Sequence, residues 1–197
     1  MHLRSRRASV LDASFELPTV AASESGRFIH GGSVVGGMKV KSRHHLRSDE
    51  ISELEDAIAD QTGVALDGDT YEMVELTDAD FDVVLVDGDP VVVYMDDERP
   101  FLTVAGANGY EPTANVVTVD AGAVSFVSDG ADVMRPGIVD ADDGIEAGDL
   151  VLIAEETHGK VLAIGRALES GPEMVGDSGK VVESLHHVGD DLFQFSV

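Results

Sequence analysis

The feature that most constrains this chain is the rhythm of its apolar residues. From residue 71 onward they come in short runs rich in Val, Ile, Leu and Phe, and clusters of Gly, Pro or Asp close most of the runs. Runs of about four to eight residues suit strands better than helices, and turn residues at this spacing suit a small barrel or sandwich. Strands are expected at 71–76, 81–86, 91–95, 101–104, 116–119, 133–139, 150–154, 161–167, 181–187 and 192–195. Asp87-Gly88-Asp89-Pro90 reads as a hairpin turn. An exposed strand is expected earlier, over 39–43, where Lys39, Lys41 and Arg43 alternate with Val40 and Ser42. Two segments read as helix. Ser48 is placed to cap the first, Asp49 and Glu50 suit the positive end of its dipole, and Ile51, Leu54 and Ile58 recur at helical spacing before Gly63. Asp120 opens a short second one with Ala123, Val124, Phe126 and Val127 on its apolar face and Gly130 at its end. No run approaches the roughly 18 apolar residues of a membrane helix, so no membrane association is expected.

These signals divide the chain in three. Residues 1–37 show no lasting period. Arg4, Arg6 and Arg7 precede a Ser-, Ala- and Gly-rich stretch that lacks the apolar run of a signal peptide. A disordered tail is expected there, or an extension ahead of a true start at Met38. Residues 38–112 read as a small α+β domain, and residues 113–197 as a mainly-β domain.

Charge adds a second constraint. Thirteen Lys and Arg stand against 38 Asp and Glu, a formal net charge of −25, and only four of the bases are lysines. Such a surface repels nucleic acid in dilute salt. An acidic, lysine-poor but foldable chain suits molar salt, where the Debye length is about 3 Å and self-repulsion is screened. A halophilic origin is therefore expected. The charge is also uneven: eight of the thirteen bases, but three acids, fall within residues 1–47. Lys39, Lys41, Arg43 and Arg47 flank His44-His45 with no acid over 38–47. A basic strand in so acidic a chain is a candidate contact for phosphate.

Several chemistries lack their residues. There is no cysteine, which removes disulfides, thiolate metal sites and cysteine nucleophiles. Gly176-Asp177-Ser178-Gly179-Lys180 lacks the spacing and the Ser or Thr of a phosphate-binding loop. Asp78, Asp80 and Asp82 open like a calcium loop, but Val83 holds the glycine position and Asp89 the final one. The pairs His44-His45 and His186-His187 would point to opposite faces of a strand and so do not chelate one ion readily. For the second pair, one ring is expected in the barrel interior beside Asp190 and one in solvent. Neither HExxH nor GxSxG occurs. No catalytic residue, metal or cofactor is expected.

One set of fragments is more specific. Val119-Asp120-Ala121-Gly122-Ala123 is followed by Gly130-Ala131-Asp132-Val133-Met134-Arg135-Pro136-Gly137. Gly148-Asp149, Ala163-Ile164-Gly165 and Gly179-Lys180-Val181-Val182-Glu183 follow, leading to His186 and Asp190. Together they resemble PUA domains, compact RNA-binding β-barrels with short helices, over about 115–195. The basic strand, the helix opened by Ser48-Asp49 and Val86-Asp87-Gly88-Asp89-Pro90 ahead of that domain resemble the malignant T-cell-amplified-sequence, or translation-machinery-associated, family. The resemblance implies an α+β pre-PUA domain followed by a mainly-β PUA pseudo-barrel. It also implies a non-catalytic, cytoplasmic RNA-binding protein of archaeal type. Its RNA partner would be ribosomal RNA or tRNA on the small ribosomal subunit, with a protein partner in translation besides. Relatives often end on Trp where this chain has Phe193, expected to serve as an aromatic core plug. Some also carry Asn in place of Asp132, which would repel phosphate unless capped or turned away.

The candidate RNA-binding residues are Gly130, Ala131, Met134, Arg135, Pro136 and Gly137 in the loop, Lys160, Arg166 and Lys180 elsewhere in the domain, and Lys39, Lys41, Arg43 and Arg47 on the basic strand. Glycine permits close backbone approach, backbone N–H groups can bind phosphate without net charge, and guanidinium suits phosphate or stacking. Two rival functions remain open: an accessory factor in tRNA or rRNA modification, and a protein-interaction module that binds no RNA. Convergence of Arg135, Lys160, Arg166 and Lys180 on one face would favour RNA; scattering would favour the module.

Overall fold

The computed structural model describes residues 34–35, 38–77, 79–95 and 99–196. Its first half follows the expected α+β pattern. Strands β1 (Val34–Val35), β2 (Met38–His45), β3 (Tyr71–Leu76), β4 (Asp82–Val86), β5 (Asp89–Tyr94) and β6 (Pro100–Leu102) pair antiparallel in sequence order. Helix α1 (Ser48–Thr62) buries Leu54 and Ile58 against this sheet. Ser48 is the first helical residue rather than the cap. Arg47 flanks the helix, and the Glu50 carboxylate accepts the Arg47 backbone N–H at 2.8 Å. Gly63 ends the helix at φ +71°, as its position suggests. Val34 and Val35 pair with Lys39 and Met38, so part of the expected tail joins the sheet. The remainder of that expectation lies outside the described residues.

The run at 101–104 does not continue as a strand. After Leu102 the chain turns into helix α2 (Val104–Tyr110), because the Thr103 hydroxyl accepts the Gly106 N–H at 2.9 Å. Gly106 lets this helix press on β5: a Cβ there would lie 2.3 Å from the Val91 carbonyl oxygen. Ala-Gly-Ala-Asn-Gly has poor intrinsic helicity, and packing on β5 and β11 supports the helix.

The second half is a nearly closed barrel, in which strand order is β8-β12-β11-β10-β7-β9. Its strands are β7 (Val116–Val119), β8 (Val133–Met134), β9 (Ile138–Ala141), β10 (Leu150–Glu155), β11 (Val161–Ala167) and β12 (Lys180–His187). β7 and β10 run parallel; the other neighbours are antiparallel. Helix α3 (Val124–Ser128), a 3₁₀ turn at Arg135–Gly137 and helix α4 (Gly171–Met174) fill the connections. The α3 face differs from expectation. Val127 is buried, but Phe126 is 66% exposed.

Of three cores among the described residues, two tie the halves together. One lies inside the barrel, around Val117, Val151, Ile153 and Val182. A second runs across the seam and joins Leu54, Ile58, Val92 and Phe101 to Leu150, Leu152 and Ile164. Burying each such side chain contributes about 1.5–3 kcal/mol. The third covers the far face of the first sheet, where Leu192 and Phe195 pack on Val74, Val83 and Leu85. The chain end is therefore not a barrel strand, and Phe193, 39% exposed, is not the plug. Phe195 takes that part, against the other half of the molecule.

Candidate nucleic-acid interface

The loop from Gly130 to Gly137 is built by short-range turns. Gly130 has φ +84° and lies against the His187 ring, where a Cβ would come within 2.6 Å of Nε2. The Ala131 N–H donates to the Phe126 carbonyl at 2.9 Å, which fixes the exit from α3. Pro136 stiffens the 3₁₀ turn, and Gly137 sits close under Ala123. Met134 projects outward, 49% exposed.

Asp132, the one acid inside this loop, is capped. Its Oδ1 accepts the Ser184 N–H at 2.9 Å, and its Oδ2 meets Lys180 Nζ at 3.0 Å. The Ser184 N–H first, and then Lys180, hold the carboxyl below its ordinary value. The repulsion expected from Asp132 is thus compensated inside the chain. Ser184 and Lys180 lie about fifty positions away in sequence, so nothing local announces the cap.

Arg135 is placed otherwise than its sequence position suggests. Its Nε donates to the Glu173 carbonyl at 2.9 Å and its Nη1 to the Ser178 carbonyl at 3.1 Å. Its Nη2 stands 3.5 Å from Glu169. The guanidinium pins the segment between α4 and β12 through two of its N–H groups. Gly176 and Gly179 make room for it.

The four cations of this domain do not share one face. Arg135 and Lys180 are neighbours, since the Arg135 N–H bonds the Gly179 carbonyl and Lys180 pairs with Met134. Lys160 lies in the turn at the opposite end of β11. Arg166 pairs in register with Leu150, on the sheet face that meets the seam, and its buried Nε and Nη2 have no hydrogen-bond partner among the described residues.

On the basic strand, β3 supplies a counter-row of acids. Lys41 Nζ is 3.0 Å from Glu75, Arg43 forks onto Glu72 with Nε at 3.2 Å, and His45 Nε2 is 3.7 Å from Glu72. Arg47 pairs with Glu50 at 2.8 Å. Hydrogen bonds from Arg43 and Lys41 hold Glu72 and Glu75 below the ordinary carboxylate value, and Arg47 takes Glu50 down to about 2. Lys39 is exposed on the same strand. The row is basic in sequence and close to neutral in space. Asp82 of the calcium-like run gives an oxygen to the Leu76 N–H at 3.2 Å, and Asp78 lies outside the described residues.

The histidines divide differently from expectation. His186, 1% exposed, faces the seam rather than the barrel interior. Its Nε2 accepts the Val104 N–H at 3.2 Å and its Nδ1 donates to Asp190 at 2.8 Å. Burial opposes the charge on Asp190, but His186 and the N–H groups of His187 and Phe193 outweigh it and keep the carboxyl below its ordinary value. Asn108 adds a second tie across the seam, bonding the Val161 carbonyl at 2.9 Å and N–H at 3.0 Å. His187 is half-buried, with Nδ1 bonded to the Ser128 and Val188 carbonyls.

Among known proteins, the PUA domain model matches residues 115–189. An uncharacterized protein of Methanocaldococcus jannaschii is 42% identical over 123 residues, 62% of this chain and 75% of that protein. Translation machinery-associated protein 20 of Saccharomyces cerevisiae is 39% identical over 88 residues, 41% of this chain and 49% of the yeast protein. The match thus spans about half the yeast protein's length. A hypothetical protein from Pyrococcus horikoshii superposes with a TM-score of 0.68 at 32% identity, over 78% of this chain and 98% of that one. A conserved PUA domain protein from Thermoplasma acidophilum gives the same TM-score and coverage at 27% identity.

Proposed function

Starting from the fact that this chain is a PUA-domain protein of the family that includes translation machinery-associated protein 20, we propose that it is a non-catalytic, cytoplasmic RNA-binding protein acting on the small ribosomal subunit or its tRNA. The observation that carries the reading is the capped Asp132. The loop over 130–137 offers an exposed Met134 with its one acid neutralised by Lys180 and the Ser184 N–H. Arg135 acts from behind, by holding the adjoining segment in shape. Lys39, Lys41, Arg43 and Arg47 form a second contact, which re-pairs from Glu72, Glu75 and Glu50 to phosphate when RNA arrives. Exposed ion pairs are worth about 0–1 kcal/mol, so the exchange costs little. The acidic, lysine-poor composition supports an archaeal, halophilic origin. The domain boundaries that fit are 38–112 and 113–197, the two sharing the seam core.

The test is co-sedimentation with purified archaeal small ribosomal subunits in molar potassium chloride. Binding that is lost when Lys39, Lys41 and Arg43 are replaced by Ser supports the reading. Binding to free tRNA without binding to subunits favours an accessory role in RNA modification. Binding to neither favours a protein-interaction module, a reading that draws support from the separation of Lys160 and Arg166 from Arg135 and Lys180.

A further inference from the structure

Beside α1, on the sheet face that the helix partly covers, runs a groove of about 460 Å³. That volume lies within the range of ligand pockets, roughly 300–1,000 Å³. Its floor is apolar: Leu54 from α1, Met73 from β3 and the ring of Tyr94 from β5. Its rim carries Glu50 and Glu53 from α1, Glu75 from β3, Asp82 from β4, and His44 from β2. Arg47 and Lys41 pair with Glu50 and Glu75 from outside the groove, with side chains 73% and 64% exposed. Glu53 has no ion pair or hydrogen bond among the described residues. Burial, and then the charges of Glu50 and Glu53, raise the Tyr94 phenol, which stays protonated beside those carboxylates.

An apolar floor under an acidic rim selects its occupant. A phosphate is repelled by Glu53 and Asp82, which have no ion pair among the described residues. A purely apolar group would strip water from them without compensation. A long cationic side chain satisfies both parts: its methylene stem lies on Met73 and Ala57, its head reaches the rim, and the Tyr94 face favours a cation. We infer that this groove docks an arginine or lysine side chain from an extended, basic segment of a protein partner. The groove borders the basic strand, since Glu50 and Glu75 pair with Arg47 and Lys41 of the RNA reading, but the inference does not rest on that reading, because it uses the acids and not the bases.

The test is an NMR titration of the full chain with the blocked peptide acetyl-Leu-Arg-Leu-amide. Its counterpart carries citrulline, the neutral isostere of arginine. Saturable shifts at the Met73 methyl, the Ala57 methyl and the Tyr94 ring are expected, with the citrulline peptide about tenfold weaker. Replacing Glu53→Gln together with Asp82→Asn should weaken the arginine peptide by a similar factor, while thermal unfolding stays unchanged. Equal affinity of the two peptides overturns the inference. So does the absence of shifts up to about 10 mM peptide. The same shifts raised by a uridine oligonucleotide would instead mark an RNA surface, and shifts that follow protein concentration alone would mark a second copy; either overturns it.

Discussion

Replacing His186 by Ala removes a buried side chain that bonds both halves of the molecule at their seam. Its ring is 1% exposed, so water does not substitute for it. The Val104 N–H at the start of α2 loses its acceptor, and an orphaned buried donor costs about 1–3 kcal/mol. Asp190 loses its bond to Nδ1 but keeps the N–H groups of His187 and Phe193, so that part costs about 1–2 kcal/mol. The emptied ring volume adds a cavity cost of about 1–2 kcal/mol. These contributions overlap, and a total of about 3–5 kcal/mol is expected, against typical domain stabilities of 5–15 kcal/mol. His186→Gln keeps an acceptor near the Nε2 position and should lose about half as much. Urea unfolding followed by circular dichroism measures both variants. Tyrosine fluorescence serves as the second probe, since the chain has no tryptophan. If His186→Ala costs under 1 kcal/mol, or matches His186→Gln, the seam does not depend on this ring and the reasoning is refuted.

Gly106→Ala forces a methyl against the Val91 carbonyl and should destabilise by about 3 kcal/mol or more, read as a shift in the urea midpoint. Gly130→Ala strains a positive φ and pushes on His187; a loss of about 1–2 kcal/mol and weakened RNA binding are expected by melting and filter binding. Asp190 and Asp132 both have lowered native values. The stability they supply is complete above the unfolded value near 4 and is lost as pH falls through the native values; Asp190→Asn should flatten acid unfolding in that window, monitored by circular dichroism. Because the basic strand is already paired with acids, the logarithm of RNA affinity should fall with the logarithm of salt by fewer than about three counterions; a steeper slope in a salt titration counts against the paired-strand contact.

Much of the barrel is legible in sequence because its strands are continuous apolar runs closed by turn residues. Gly63 stops α1 where its position suggests, and Asp120 does accept the Ala123 N–H ahead of α3. Helix α2 is not legible, since a Gly-rich run has poor intrinsic helicity and gains its helix from packing on β5 and β11. The exposed Phe126 and the plugging Phe195 reverse the expectation for the same reason: periodicity says which residues are apolar, not which surface arrives to cover them.

The candidate site divides along the same line. Composition and local order suffice for the fold class, the glycine loop and the presence of a basic strand, because these depend on neighbours within a few residues. Whether a charge is available depends on partners distant in the chain. Asp132 meets Lys180 and Ser184, Arg135 meets carbonyls of residues 173 and 178, and Lys41 and Arg43 meet acids of β3. His186 finds Val104 across a separation of 82 residues. Coulomb and hydrogen-bond energies act over a few ångströms of space, so their balance was decided by the tertiary fold, while the residues that enter it were set by the sequence.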